Sequence, residues 1–537
     1  MMAKTRGNNN RNWGRLLEIV DSDGVPHVWA MPARIGPTVG DGTDFRRELV
    51  DRGLEIASGG KARNRLNDYV TQWRPSRKVR CVSTVGWCGD AFVMPQRQYG
   101  GREEIVLQVE GVAPEFSSAG DLNNWRANIA ARCEGNSRLV FGVAAAFTGP
   151  LLRIANEESG GAHFFGSSSI GKTTTLHVAR SVWGMPLGSW RTTDNSAEAI
   201  AAGACDTFLP LDEISQANPK VVGELAYMLG NERGKSRMNR NATLRQTLRW
   251  RVLFLSSGEV GMAARLLEGG TKARAGQEVR VLEIPADAGK GQGIFENLHG
   301  FSNAAELAEQ LRLAADRDCG HAAQAFLERI VQNPSKLAAD LTQMRAQFIA
   351  DYCPAGADGQ VRRACGRFGV IAKAGELATL YGITGWKTGE AEEAVARCWQ
   401  DWLDARRRAG AAEEREALNH VRLFLEQHGE SRFSLAWDRE NERPVSNRAG
   451  FRRAGEAGAT YYVLPEVFRK EVCKGFEPST VARAMAARGW LVTEPNRPNK
   501  VERIPGEGSL RVYVIPPEFL HGTTSLDGNT GNAGNTP

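Results

Sequence analysis

Gly166-Ser167-Ser168-Ser169-Ile170-Gly171-Lys172-Thr173 decides the fold. These eight residues complete the pattern GxxxxGK[ST]. Its glycines let backbone N–H groups wrap phosphates, and the helix that follows adds its positive dipole end. The apolar run Ala162-His163-Phe164-Phe165 before it reads as a buried strand. The run from Thr174 to Trp183 after it reads as a helix. In that frame residues from Gly166 to Thr174 line a nucleoside triphosphate, ATP by default. Lys172 reaches the β and γ oxygens, and the Thr173 hydroxyl can ligate Mg²⁺. The competing reading is a flexible glycine-rich loop.

The segments downstream narrow the class. Thr207-Phe208-Leu209-Pro210-Leu211-Asp212-Glu213-Ile214 is an apolar strand ending in adjacent carboxylates. About forty residues after a phosphate loop, that pattern puts Asp212 on the Mg²⁺ shell and Glu213 beside the attacking water. Arg251-Val252-Leu253-Phe254-Leu255-Ser256-Ser257-Gly258-Glu259 is a second buried strand ending in small polar residues. A hydroxyl of Ser256 or Ser257 can touch the γ-phosphate or the lytic water there; the other reading is an ordinary turn. In Arg274-Ala275-Gly276-Gln277-Glu278-Val279-Arg280-Val281-Leu282-Glu283-Ile284, an arginine enters the next strand. Arg280, with Arg274 in reserve, stands where ring ATPases place a finger for a neighbour's ATP. Arg362 and Arg363 open a later helix and suit either a second sensor or a solvated basic face.

Between the carboxylate strand and the serine strand, residues 230–251 hold seven cations, among them Lys235, Arg237 and Arg240, against Glu232 alone. Turn formers at Asn239 to Asn241 separate two strand-compatible arms, so the segment reads as a β-hairpin or as a solvated basic loop.

At 537 residues the chain exceeds one ordinary core, and 42% hydrophobic with 24% charged residues marks a globular protein. A net charge of +6 excludes a polycation, so nucleic-acid affinity has to come from local patches. The nine cysteines contain no CxxC pair, which argues against a zinc module and for a reducing, cytoplasmic setting. The opening MMAKTRGNNNRNWG lacks the apolar core of a signal peptide. The apolar run from Leu139 to Leu152 has fourteen residues, short of the ~20 of a membrane span, so it reads as a buried helix.

Composition shifts divide the chain. Residues 1–12 read as a disordered arm, and 13–120 as a small α+β domain, mainly β, with one helix near 60–73. Residues 121–299 read as the P-loop core, whose alternating strands and helices imply a parallel sheet. Residues 300–405 read as a helical lid broken at Pro354 to Gly359, and Asp404 to Arg415 as a hinge. Residues 416–520 fit a winged helix. There Leu418, Val421, Phe424 and Leu425 make an apolar stripe, a helix runs over 479–488 with Ser479 or Thr480 as its cap, and a strand–turn–strand wing spans 501–515. Such a unit binds duplex DNA or serves as a protein contact. Residues 521–537 read as a disordered tail.

The P-loop stretch, Trp190-Arg191-Thr192-Thr193-Asp194-Asn195, LPLDEI, the segment from Tyr227 to Lys235, LFLSSGE and the segment from Tyr461 to Gly475 together resemble the domain-of-unknown-function 927 family. The resemblance spans roughly residues 14–520. Relatives in staphylococcal cassette elements and prophages look like AAA+ replicative helicases similar to the minichromosome-maintenance (MCM) group. The resemblance therefore implies an α/β fold: a P-loop AAA+ core with a small β-rich N-terminal domain, a helical lid and a C-terminal winged helix. It implies Walker A and B roles for Lys172, Thr173, Asp212 and Glu213. Arg280 aligns with the MCM finger, although its neighbours depart from that motif, and no cysteine set matches the MCM zinc site. MCM-like motors also project a hairpin into the channel at residues 230–251, where Lys235, Arg237 and Arg240 would grip DNA. The implied function is an ATP-dependent, ring-forming DNA helicase or translocase for replication of a prophage or mobile element. Its implied partners are single-stranded or forked DNA, further copies of itself in a hexamer, and a primase or initiator of the same element, with no membrane. The alternatives are a phage DNA-packaging or remodelling ATPase, and a non-motor ATP-gated initiator.

Overall fold

Short apolar runs alternating with helices must be buried on both faces, and the first half of the chain is built that way in the computed structural model. It describes residues 1–7, 11–109, 114–235, 247–269, 280–438 and 445–521. The chain divides into two units, Met1–Leu403 and Asp404–Pro537.

The first unit opens with a mixed sheet. Strands β1 (Ala3–Arg6), β2 (Gly14–Val20), β3 (Pro26–Pro32), β4 (Lys78–Val82) and β8 (Ile105–Leu107) lie in the order β3-β2-β1-β4-β8. A smaller antiparallel sheet holds β5 (Gly86–Cys88), β6 (Ala91–Val93) and β7 (Gln98–Gly100). Residues 3–6, expected in a disordered arm, instead form a central strand, antiparallel to β2 and parallel to β4. The asparagine-rich composition behind that expectation begins only at residue 8; before it Ala3 and Thr5 alternate inward and are fully buried. Helices α1 (Thr43–Asp51) and α2 (Gly60–Gln72) cover this region, the first not anticipated from sequence. Phe45, Leu49 and Val70 from these helices pack with Leu17, Ile19 and Trp29.

Helix α3 (Ser137–Ile154) is apolar on all sides and buried, with the Pro150 carbonyl accepting from Trp87 Nε1 at 2.8 Å. Beyond it comes an all-parallel sheet: β9 (Gly160–Phe165), β10 (Gly188–Ser189), β11 (Phe208–Asp212), β12 (Leu253–Gly258) and β13 (Val281–Pro285). Their order is β10-β11-β12-β9-β13. The serine strand β12 is thus inserted between β9, which leads into Gly166–Thr173, and the carboxylate strand β11. Helices α4 (Lys172–Ser181), α5 (Asp194–Gly203), α6 (Pro219–Gly230) and α7 (Met262–Glu268) connect these strands.

After the sheet run α8 (Ala304–Arg317), α9 (His321–Ile330), α10 (Pro334–Tyr352), α11 (Gly359–Leu380) and α12 (Glu390–His428). The hinge read over 404–415 is a correction: α12 runs through it unbroken for 39 residues, although the division between units falls within it. Ala, Glu and Arg favour helix, and i,i+3 pairs such as Asp404–Arg407 add to that.

In the second unit Leu418, Val421, Phe424 and Leu425 are buried with Val463, Phe468 and Ile515. Strands β14 (Phe433–Ser434), β15 (Gly450–Gly455), β16 (Gly458–Val463), β17 (Lys500–Ile504) and β18 (Gly508–Ile515) form one sheet, with β17 and β18 an antiparallel hairpin. Helix α13 (Pro478–Ala487) is capped by Glu477 rather than by Ser479 or Thr480, because Pro478 already occupies the first helical position. The tail expected over 521–537 lies outside the described residues from 522 onward.

Candidate functional site

The sheet's C-terminal edge is built around a turn that ordinary side chains resist. Gly166, Ser169 and Gly171 have positive φ, at 152°, 62° and 94°. A Cβ on Gly171 would stand 2.7 Å from Ile294 Cγ1, so glycine is required there for space as well as for conformation. The Ile170 carbonyl accepts from Ile294 N at 2.9 Å, pinning the loop. Lys172 opens α4, and its Nζ donates to the carbonyls of Gly166 at 2.9 Å and Ser167 at 2.5 Å. The Lys172 residue is 8% exposed, and burial lowers its pKa against the opposing pull of Glu259 and Asp212.

Strand register brings two other segments to the same place. Asp212 ends β11, and its Oδ1 accepts from Thr173 Oγ1 at 3.4 Å, from the Ser257 hydroxyl and from Glu213 N at 3.0 Å. Glu213 itself sits at φ 52°, a left-handed conformation that costs a non-glycine residue about 1–3 kcal/mol. Ser168, Lys172, Thr173, Glu213, Ser257 and Glu259 share one cleft of about 590 Å³.

The two serines part company. Ser257 faces the cleft. Ser256, its neighbour on the pleat, is fully buried on the other side and lies outside it. The Ser256 hydroxyl accepts from Trp190 Nε1 at 2.7 Å and lies 3.0 Å from His163 Nδ1, while His163 Nε2 lies 2.9 Å from the Val260 carbonyl. Since that carbonyl can only accept, Nε2 carries the proton and Nδ1 accepts from Ser256. Burial pushes the His163 pKa down to about 4, helped by Lys172 and opposed by the Val260 contact.

Arg362 is exposed near the start of α11 and is not at the cleft. The arginine that is there is Arg312 of α8, which no sequence motif marks. It pairs with Glu309 through Nε at 3.1 Å and Nη2 at 2.7 Å, and with Asp316 at 3.7 Å. An i,i+3 and i,i+4 charge ladder reads as a solvated helix face, and nothing local sets Arg312 apart from it.

Arg280 sits at the opposite edge of the sheet. It immediately precedes β13, which runs beside β9 from Gly161 to Phe165, so a strand length of roughly 17 Å separates it from the cleft. Its Nη1 donates to Asn231 Oδ1 at 2.8 Å, its Nη2 lies 3.6 Å from Glu158, and its carbonyl accepts from Arg367 Nη1 at 2.8 Å. Arg274 lies outside the described residues, as do Arg237 and Arg240. Lys235 is described: its backbone N donates to Glu198 at 3.0 Å, and its Nζ lies 3.6 Å from Glu224. The arms flanking 236–246 pair antiparallel, with Gly234 N on Leu248 O at 3.0 Å and Trp250 N on Glu232 O at 3.1 Å.

Asp212 and Thr173 fit a Mg²⁺ that takes its other ligands from water and phosphate oxygens, since Mg²⁺ is commonly held by one or two carboxylates plus substrate. Among the described residues no cluster of three metal-ligating side chains offers a fuller cage.

Residues 1–249 match the family model described as domain of unknown function (DUF927). A solved structure described as SCCmec type IV Cch, an active helicase, aligns over 97% of this chain and 93% of its own, with a TM-score of 0.66 and 15% identity. The chain thus resembles that family and shares the overall fold of that structure. Two weaker matches are the NrS-1 C-terminal region, at 9% identity, 59% and 82% coverage and TM-score 0.25, and NtrX from Brucella abortus with ADP, at 15%, 48% and 66% coverage and TM-score 0.20. Neither reaches the level of a shared fold. No curated protein matches the chain.

Proposed function

We propose that this protein is an ATP-driven AAA+ DNA helicase or translocase that works as a ring, a hexamer, in replication of a prophage or mobile element. The observation that carries the reading is the convergence on Asp212 Oδ1 of Thr173 from the phosphate loop and Ser257 from the inserted strand. Three distant segments meet there, as a site for a metal-bound γ-phosphate would require. The fold shared over nearly the whole chain with a helicase supports the choice of motor over kinase.

In this reading Lys172 holds the β and γ oxygens, and Thr173 with Asp212 holds Mg²⁺, which when bound would neutralise charge developing on the phosphates. Glu213 takes the proton of the attacking water, Ser257 senses the γ-phosphate, and Arg312 closes on the nucleotide from α8. Arg280 faces away from its own cleft, and we assign it to the cleft of the next subunit in the ring. Residues 121–299 form the motor, 300–405 the lid and 416–520 a winged helix. The antiparallel arms around 236–246 support a hairpin carrying Lys235, Arg237 and Arg240 to the DNA backbone. A primase or initiator of the same element is the partner such a motor needs.

The test is strand separation on forked DNA beside ATP hydrolysis. Lys235→Ala with Arg237→Ala should abolish unwinding and flatten the salt dependence of DNA binding by roughly one unit per lost phosphate contact, while DNA-independent hydrolysis survives. Hydrolysis without strand separation by the parent protein would move the reading to a packaging or remodelling ATPase.

A further inference from the structure

The cleft leaves unexplained a surface far from it in sequence. Helix α2 buries Val70 and packs Leu66 against the N-terminal sheet, and its outer face is unusual. Lys61, Arg65, Tyr69 and Trp73 follow one another at intervals of four, so they form a single stripe along the helix and its first following residue. All four are exposed, Tyr69 at 44% and Trp73 at 53%, with their ring centroids 6.0 Å apart. The Tyr69 hydroxyl accepts from the amino terminus at 2.7 Å. Arg63 and Arg74 extend the positive charge, and Asp68 is the only acid in the helix. Among the described residues Lys61, Arg63 and Arg65 enter no ion pair, whereas Arg77 and Arg80 nearby are paired with Glu104 and Glu103. Residues 1–109 hold 17 Lys or Arg against 12 Asp or Glu, so five of the six net positive charges of the chain lie in this region.

We infer that the α2 stripe binds single-stranded nucleic acid, with unpaired bases stacking on Tyr69 and Trp73 and the backbone held by Lys61 and Arg65. Two neighbouring aromatic rings in line with two cations that enter no ion pair are what a strand with exposed bases requires, and such stacking tolerates any sequence. An anionic membrane is the other surface that attracts a basic aromatic helix. It needs aliphatic area beside the rings, and here the aliphatic residues Leu66 and Val70 face the protein. The inference rests on the DNA-motor reading only for the source of the strand.

The experiment uses the full chain and three probes: labelled oligo-dT, a duplex of matched length, and phosphatidylserine–phosphatidylcholine vesicles. Tyr69→Ala with Trp73→Ala should weaken oligo-dT binding about tenfold or more with little change in salt dependence, and leave duplex binding and basal ATP hydrolysis unchanged. Lys61→Ala with Arg65→Ala should lower the salt slope for oligo-dT by about 1.4, at ~0.7 per charge on a single strand. Trp73→Phe should retain most of the affinity. Oligo-dT binding equal to the parent in both double variants overturns the proposal, as does an equal loss on duplex or a loss confined to vesicles. A parent that neither hydrolyses ATP nor separates strands, yet loses oligo-dT at this stripe when mutated, would sink the motor reading and leave the stripe standing.

Discussion

The two edges of the parallel sheet hold arginines, acids and positive-φ turns alike, yet they differ in what those groups can do. At the C-terminal edge Lys172, Thr173 and Ser257 line one cleft, Asp212 accepts from Thr173 and Ser257 beside it, and Lys172 Nζ donates to the carbonyls of Gly166 and Ser167. At the N-terminal edge Arg280 is held by Asn231 and Glu158, and Arg367 is buried against the Arg280 carbonyl. Strand direction separates the two. Parallel strands deliver all their C-terminal ends to one side, so residues that close their strands gather there, and a residue that opens one cannot reach them.

The contrast breaks first, and most severely, at the cleft. Lys172→Ala should remove nucleotide binding and hydrolysis together. Glu213→Gln should keep binding, because it spares Asp212 and Thr173, while hydrolysis falls by up to about ten-thousandfold. Nucleotide affinity of Lys172→Ala equal to the parent, by calorimetry or by displacement of a fluorescent analogue, would remove the phosphate-loop assignment.

The N-terminal edge is tested by Arg280→Ala. If Arg280 serves a neighbour, the variant should bind ATP normally and hydrolyse it roughly a thousandfold more slowly. Mixing it with Glu213→Gln protein should restore part of the activity, because one interface then pairs an intact Glu213 with an intact Arg280. If Arg280 only ties β13 to Asn231 and Glu158, the variant should instead lose thermal stability and mixing should restore nothing. Full hydrolysis by a species that stays monomeric at every concentration would dispose of the ring.

Most of the C-terminal edge was legible in the sequence because its signals are local: the eight residues from Gly166 to Thr173, and an apolar run ending in Asp212-Glu213. The rest needed three dimensions. Ser256 and Ser257 lie in a strand buried on both faces, so no polar alternation says which one turns to the cleft. Arg312 arrives on a helix about 140 residues after Lys172, dressed as an ordinary charge ladder. β1 was hidden by its polar Lys4 and Arg6, and the helix over 404–415 by a charge run that suits a solvated helix as well as a hinge. The segment from Gly230 to Arg251 was read as a hairpin or a loop from composition, and the paired arms now bear on that choice while the basic tip lies outside the described residues.

Arg312 sharpens the comparison at a smaller scale. Arg312→Ala should raise the ATP concentration for half-maximal hydrolysis about tenfold, the scale of one charge-assisted contact, whereas Arg362→Ala should leave it unchanged. The reverse result would mean that the helices close differently around nucleotide and would return the sensor role to Arg362.

The smallest effect concerns what joins the two edges. His163 lies within β9 between them, neutral, receiving from Ser256 and donating to Val260 beside the cleft residue Glu259. Its folded-state pKa of about 4 lies below the ordinary value near 6.5, so as pH falls the unfolded chain takes up a proton first. The stability contributed by neutral His163 is therefore full above about pH 6.5 and is lost progressively toward pH 4. Between pH 7.5 and pH 6, across the onset of that loss, it should amount to about 0.8 kcal/mol. Hydrogen exchange of the β9 amides, normalised to the intrinsic rate at each pH, reads it directly. His163→Gln keeps a donor for the Val260 carbonyl and cannot titrate, so its protection should fall less across that range. Equal pH sensitivity in the two proteins would assign the titration to another group and leave His163 as a packing residue between edges that act independently.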